Sequence, residues 1–327
     1  MSHKKDTDYL SISARVRAME NRLLTGERLE RMIDARDDAE ALKVLSECGY
    51  GELSVLTAAG LERVLGAART AMFRELAAAV PDPELVDVFR LRYDYHNAKV
   101  LVKAAAVGEQ VQPLLVDAGR YAPDMLLQDL RDCSEEFRSA ISRARTCMEQ
   151  TGDPQQADIL LDRAYYAEMT KLAKECAGTF LQDYVRLMVD AANLRTCVRC
   201  ARLEKDRDFM NRVLIEGGSV SATDLVGSWG QDFERYFRSG PLERAAELAV
   251  GLAKPDAGPL TAFERECDDA LMNFQQRCRR SPFGEDVVVG YLLARETELT
   301  AIRTVMAGRM AGLDGEVIRR RLRRTYV

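Results

Sequence analysis

The sequence predicts an all-α protein built from three similar helical domains. Three observations predict it. Apolar residues recur at three- and four-residue steps in segment after segment, and no stretch sustains the two-residue alternation of a half-buried strand. One helical pattern also returns at intervals of about one hundred residues, longer than the ~33–47-residue units of helical solenoids and suited to whole domains. Approximate threefold symmetry is expected from that period, with domains over 1–112, 113–212 and 213–327.

Taken in order, the chain opens with a few polar residues and then an amphipathic helix over 9–24, with Leu10, Ile12, Val16, Met19, Leu23 and Leu24 at helical spacing, ending near Gly26. A second helix covers 27–35. Asp37 or Asp38 caps a third, which packs Ala41, Leu42, Val44 and Leu45 and stops at Gly49. Alanine-rich 58–79 is a long helix halted by Pro81 and Pro83. Another long helix spans 83–107 and closes at Gly108. Helices follow over 125–148 and 158–202, parted by the turn Thr151-Gly152-Asp153-Pro154. Gly217-Gly218, Gly240-Pro241 and Gly258-Pro259 then punctuate shorter helices. Long helices return over 260–280 and 285–309; the run Val287-Val288-Val289 is too short and isolated to make a sheet.

The repeat centres on 93–104. Asp94, Asn97, Lys99 and Lys103 are echoed by Asp190, Asn193, Arg195 and Arg199; a weaker third copy begins at Glu298, with Arg303 in the place of Lys99. Ala301 stands where the other copies have Asn, and Ala307 where they have a cation. At 100° per residue the acid and amide share the packed face of the helix, and the cations lie opposite. A buried, unpartnered polar group would cost roughly 1–3 kcal/mol or more, so the acid and amide must hydrogen-bond across a seam or line a hollow. A second feature repeats in the same order: Leu114-Leu115-Val116-Asp117-Ala118-Gly119 returns as Val213-Leu214-Ile215-Glu216-Gly217-Gly218. Domain seams are accordingly expected near 112 and 212.

Composition narrows the function classes. A net charge of −5 argues against a nucleic-acid binder relying on overall positive potential. The eight scattered cysteines and a start without an apolar core predict reduced thiols in the cytoplasm. No uncharged run approaches the ~20 residues of a membrane span.

Candidate chemistry is sparse. Of the two histidines, His3 sits in the N-terminal tail and His96 in the motif, where the second copy has Ala192, so a catalytic or ligand role is poorly supported. Cys197-x-x-Cys200 has the spacing of half a zinc or redox site, but Cys197 replaces the leucine of the first copy and reads as packing. Asp34, Asp37 and Asp38 resemble scrambled fragments of a magnesium motif and read better as a solvated face or cap. No phosphate-binding glycine loop is present, and no cofactor or metal is expected. Trp229 reads as a packing anchor. The arginine-rich end, Arg319-Arg320-Arg321-Leu322-Arg323-Arg324, is either a solvated helix face or a contact for an acidic partner or anionic headgroups.

Together, Tyr93-Asp94-Tyr95-His96-Asn97-Ala98-Lys99, Asp190-Ala191-Ala192-Asn193-Leu194-Arg195-Thr196, and Ser281-Pro282-Phe283 leading to Tyr291-Leu292-Leu293-Ala294-Arg295-Glu296-Thr297-Glu298-Leu299 resemble the C subunit of V/A-type rotary ATPases, the family of the d subunit in the eukaryotic vacuolar enzyme. The resemblance covers nearly the whole chain. It implies a funnel of three helical domains around a central cavity, one copy per complex. The wide mouth would receive the D and F shaft subunits and the narrow end would rest on the membrane proteolipid ring, at the cytoplasmic face, with ATP hydrolysed in the A and B subunits. Asp94, Asn97, Asp190, Asn193 and Glu298 are then structural candidates, and Lys99, Arg195 and Arg303 candidate partner contacts. A free-standing helical scaffold or adaptor is the alternative, and a helical enzyme a weaker third.

Overall fold

The computed structural model describes residues 4–107, 111–229, 232–324 and 326. Among them the chain forms α-helices joined by short 3-10 turns, with no strand. The helices are α1 (Leu10–Glu20), α2 (Gly26–Ile33), α3 (Asp38–Glu47), α4 (Ala58–Ala77), α5 (Glu84–Val107), α6 (Pro123–Gln128), α7 (Glu135–Thr151), α8 (Pro154–Cys176), α9 (Thr179–Arg202), α10 (Arg207–Val213), α11 (Ala222–Gly227), α12 (Glu243–Leu252), α13 (Thr261–Gln275), α14 (Glu285–Met310) and α15 (Gly315–Arg321). Val287-Val288-Val289 lies in α14, fully buried. Gly108, expected to close α5, and His3 lie outside the described residues.

Local chemistry sets the boundaries. Asp37, not Asp38, caps α3, its carboxylate accepting from Glu40 N–H at 2.8 Å. Thr57, Ser134, Asp153 and Asp206 cap α4, α7, α8 and α10 in the same way. Gly152, with φ +64°, ends α7 in the left-handed conformation that glycine adopts without penalty. The helix expected over 125–148 is two helices. Extended backbone at Asp129 ends α6, the Asp129 carboxylate accepts from Arg131 N–H at 2.9 Å, and Ser134 starts α7. Likewise the helix expected over 158–202 is two, α8 and α9, parted by extended backbone at Ala177 and Gly178, and 260–280 is α13 followed by a 3-10 turn over Gln276–Arg280.

The contacts group the chain into two compact units. The first comprises Glu84–Leu271, and both expected seams fall inside it. Here α5, α7 and α8 pack mutually, and α8 continues onto α9. The second joins Lys4–Pro83 to Met272–Val327. Its α14 is the central element, touched by α1, α2, α4 and α15. The core there interleaves Leu29, Met32, Leu45 and Leu65 from the N-terminal helices with Leu299, Ile302, Val305, Met306 and Ile318 from the C-terminal ones. Removing such area from water stabilises by about 25 cal/mol per Å².

Candidate functional site: a repeated polar clasp

In the first unit, each motif helix grips the hexapeptide that follows it. Asn97 Nδ2 donates to the Val116 carbonyl and Val116 N–H donates back to Asn97 Oδ1, both at 2.9 Å. In the second copy Asn193 Nδ2 donates to the Ile215 carbonyl at 2.7 Å and its Oδ1 accepts from Ile215 N–H at 2.9 Å. The amide thus imitates a strand neighbour, satisfying a loop residue that has no ladder of its own. The two features that repeat in the sequence repeat because they bind each other.

The acid completes each clasp. Asp94, fully buried, accepts from Arg120 Nε at 2.6 Å and Tyr121 N–H at 3.3 Å; Asp190 accepts from Val220 N–H at 3.2 Å. Both carboxylates lie so close to the hexapeptide's last glycine that a Cβ on Gly119 or Gly218 would stand 2.2 Å from Asp Oδ1. Only glycine fits there.

In the second unit the third copy does the same with a longer acid. Glu298, 5% exposed, accepts from Leu24 N–H at 2.5 Å and from the Tyr50 hydroxyl and Arg295 Nη1. The gripped segment is N-terminal here, 274 residues away in the chain. Ala301 supplies no amide. Burial, then the Glu298 carboxylate, pushes the Tyr50 phenol up, which keeps it a donor.

The first clasp carries an extra layer. Arg120 Nη2 lies 2.9 Å from Glu168, whose carboxylate also accepts from Tyr95 OH at 2.7 Å and Ser134 Oγ at 3.1 Å. Burial pushes the Asp94 carboxyl up to about 6, against the opposing pull of the Arg120 guanidinium and the Tyr121 N–H. Burial works against the Arg120 charge, but Asp94 and Glu168 outweigh it and raise its pKa. The second copy has Ser219 in the position of Arg120.

The motif cations form a second repeated device. Lys99 and Lys103 on α5 pair with Asp162 and Asp158 on α8 at 2.6 and 2.7 Å. Arg195 and Arg199 on α9 pair with Asp268 and Glu264 on α13, both at 2.5 Å. In the second unit Arg303 on α14 grips both Glu62 oxygens on α4 at 2.6 and 2.7 Å. In all three, cations lie along a motif helix and acids along a long partner helix, spaced four residues apart in the first two copies. Where the third copy loses its second cation to Ala307, the residue four before Glu62 is Ala58, so the missing rung is absent from both sides.

The remaining candidates find plain surroundings. His96 is exposed on α5. Cys197 and Cys200 are buried, and burial pushes both thiols up, away from the reactive thiolate. Among the described residues no three His, Cys, Asp or Glu side chains are grouped to hold a metal ion. Trp229 donates from Nε1 to the Lys205 carbonyl at 2.8 Å and stacks on Phe233; the adjoining Gly230 and Gln231 lie outside the described residues. No described helix is long and apolar enough to cross a membrane. Sequence reasoning missed Arg120, Glu168, Tyr50 and the acids opposite the cations, although Asp158/Asp162 and Glu264/Asp268 carry a spacing complementary to the cation pairs.

This arrangement ties helices to loops and to one another through hydrogen bonds and ion pairs. Comparison with known proteins gives it a place. The chain is 22% identical over 326 residues to the C subunit of the V-type sodium ATPase of Enterococcus hirae, covering 98% of this chain and 99% of that protein. It is 26% identical over 330 residues to the C subunit of the V-type ATP synthase of Thermus thermophilus, and 25% over 334 to that of the A-type ATP synthase of Haloferax volcanii, each covering 94% of this chain and 95% of the relative. The family model described as ATP synthase (C/AC39) subunit matches residues 12–321, and the chain belongs to that family.

Proposed function

We propose that this chain is a non-catalytic central-stalk subunit of a V/A-type ion-translocating rotary ATPase, a socket that couples the D and F shaft subunits to the membrane proteolipid ring. The observation that carries the reading is end-to-end similarity to relatives that are each the C subunit of a V- or A-type enzyme, at 94–99% coverage of both chains for the three compared. The fold supports it physically. A coupling element must transmit torque without deforming, and close-packed helices pinned by buried, hydrogen-bonded polar groups resist deformation.

In this reading the three motif helices belong to three related domains, and the N-terminal helices, which share a unit with the third motif helix, complete the third. Supporting this, Glu298 holds Leu24 as Asp190 holds Val220. ATP is hydrolysed in other subunits, and one copy of the chain sits at the cytoplasmic face of the membrane. Lys99, Arg195 and Arg303 act first as internal cross-braces; their part-exposed faces remain candidates for shaft contact.

A pull-down of the tagged chain from native membranes tests the assignment. It should return the A, B, D and F subunits and a proteolipid. Recovery of the chain alone, or with unrelated soluble proteins, would favour the free-standing scaffold.

A further inference from the structure

We infer that the chain beyond α15 is a strap whose Tyr326 side chain plugs an aromatic socket in the second unit, and that the emptied socket binds a free phenol. Extended backbone at Leu322 ends α15. Leu322 packs against the core of the unit, and Arg324 Nη1 donates to Asn273 Oδ1 at 3.5 Å. Tyr326 is then withdrawn from water, 4% exposed.

Three elements build the socket. From α1, Glu20 accepts from the Tyr326 hydroxyl at 3.3 Å, while Arg17 Nη1 holds both Glu20 oxygens at 2.9 and 2.7 Å. Arg17 Nη2 also donates to the Cys278 and Ser281 carbonyls at 3.0 and 2.6 Å, so the acceptor is oriented without help from the strap. From the turn Gln276–Arg280, Arg279 Nη1 donates to the Tyr326 carbonyl at 3.1 Å, and its guanidinium lies 5.6 Å from the ring centroid. From α14, Gly290 leaves the space: a Cβ there would stand 2.6 Å from Cys278 Cβ and 3.5 Å from the Tyr326 hydroxyl oxygen.

The plug also seals the third clasp. Tyr326 and Glu298 share the lining of a residual cavity of about 10 Å³, walled by Leu23, Leu24, Leu29 and Ala294, with room for a single water. This is the copy in which Ala301 supplies no amide, and the strap gives it a second fastening. Burial, then the Glu20 carboxylate, raises the Tyr326 pKa and keeps the proton on its oxygen. Apolar walls and one oriented carboxylate define the ligand class as a neutral aromatic with a single hydroxyl. An aromatic without the hydroxyl forgoes the Glu20 bond.

The test uses the full chain carrying Tyr326→Ala. Two quantities are read: the melting temperature, and the rate at which N-ethylmaleimide labels Cys278, followed by mass spectrometry of its peptide. Cys278 is fully buried beside Gly290; Cys267 in the first unit is equally buried and is the control. Tyr326→Ala should lower the melting temperature by about 5 °C and speed Cys278 labelling about tenfold, with Cys267 unchanged. Added p-cresol, at about tenfold above its dissociation constant, should return about 3 °C and slow the labelling, and toluene should return less. Neither should stabilise the wild type, whose socket is filled. If the alanine variant folds poorly, its refolding yield in p-cresol against toluene carries the same comparison, and p-cresol should give the higher yield. Unchanged melting and labelling in Tyr326→Ala overturn the strap. Equal acceleration at Cys267 does so too, because it means general loosening. Failure of p-cresol to outdo toluene, in melting or in refolding, overturns the socket.

Discussion

Asn97 and Val116 exchange two hydrogen bonds of 2.9 Å, the side-chain amide of one meeting the backbone of the other as strands meet in a sheet. Asn193 and Ile215 repeat the exchange in the same unit. Replacing either asparagine with alanine leaves a backbone N–H and C=O without that partner. The expected loss is about 1–3 kcal/mol per site in urea denaturation, larger at Asn193, whose bonds are buried. A change below ~0.5 kcal/mol would mean that water replaces the amide and the clasp is incidental.

Gly119 and Gly218 should tolerate no side chain. A methyl group at 2.2 Å from the Asp94 or Asp190 carboxylate forces the loop off its clasp. Gly119→Ala and Gly218→Ala are expected to cost about 2 kcal/mol or more, seen as a lowered melting temperature. Gly26→Ala, with open space around it, should not lower it.

The first clasp makes stability pH-dependent. Asp94 has a folded pKa of about 6 against an ordinary 3.8, so the folded state holds its proton more tightly. Its contribution is therefore fully present below the unfolded pKa and declines as pH rises through about 6. The stability of the wild type relative to Asp94→Asn should fall by roughly 1–3 kcal/mol between about pH 4 and 7. Urea melts at several pH values measure this. A relative gain with rising pH would show that the Arg120 pairing dominates over burial.

The cross-braces are exposed enough that each should contribute little, about 0–1 kcal/mol. Lys99→Glu should destabilise slightly, and Asp162→Lys in the same chain should recover the loss. Ala307→Lys with Ala58→Glu would supply the rung missing from the third copy. A double-mutant cycle is expected to give a favourable coupling of a few tenths of a kcal/mol, reduced by salt. Zero coupling would mean that the third ladder departs from the geometry of the other two.

Much of the fold was legible because it rests on helical periodicity and capping. Gly49 and Gly152 end helices as expected, and the long helices carrying Asp94 and Glu298 lie where their apolar spacing puts them, whereas the single helix expected over 158–202 is α8 and α9. The burial of Asp94, Asn97, Asp190 and Asn193 was legible too, since each shares a face with packed leucines and valines. Their partners were not, because a backbone carbonyl such as that of Val116 has no residue type to betray it. Arg120 and Glu168 were missed for another reason: neither recurs in the second copy, so the repeat gave no pointer to them. The split between α6 and α7 turned on one carboxylate, Asp129, binding local backbone, an effect that periodicity does not register.

The central claim is that this chain couples a rotating shaft to an ion-carrying ring. ATP-driven ion uptake into membrane vesicles tests it most directly, comparing vesicles depleted of the chain with the same vesicles after the purified chain is added back. The account predicts that depletion abolishes uptake while ATP hydrolysis by the remaining soluble subunits persists, and that add-back restores uptake. Uptake that is unchanged by depletion would contradict it.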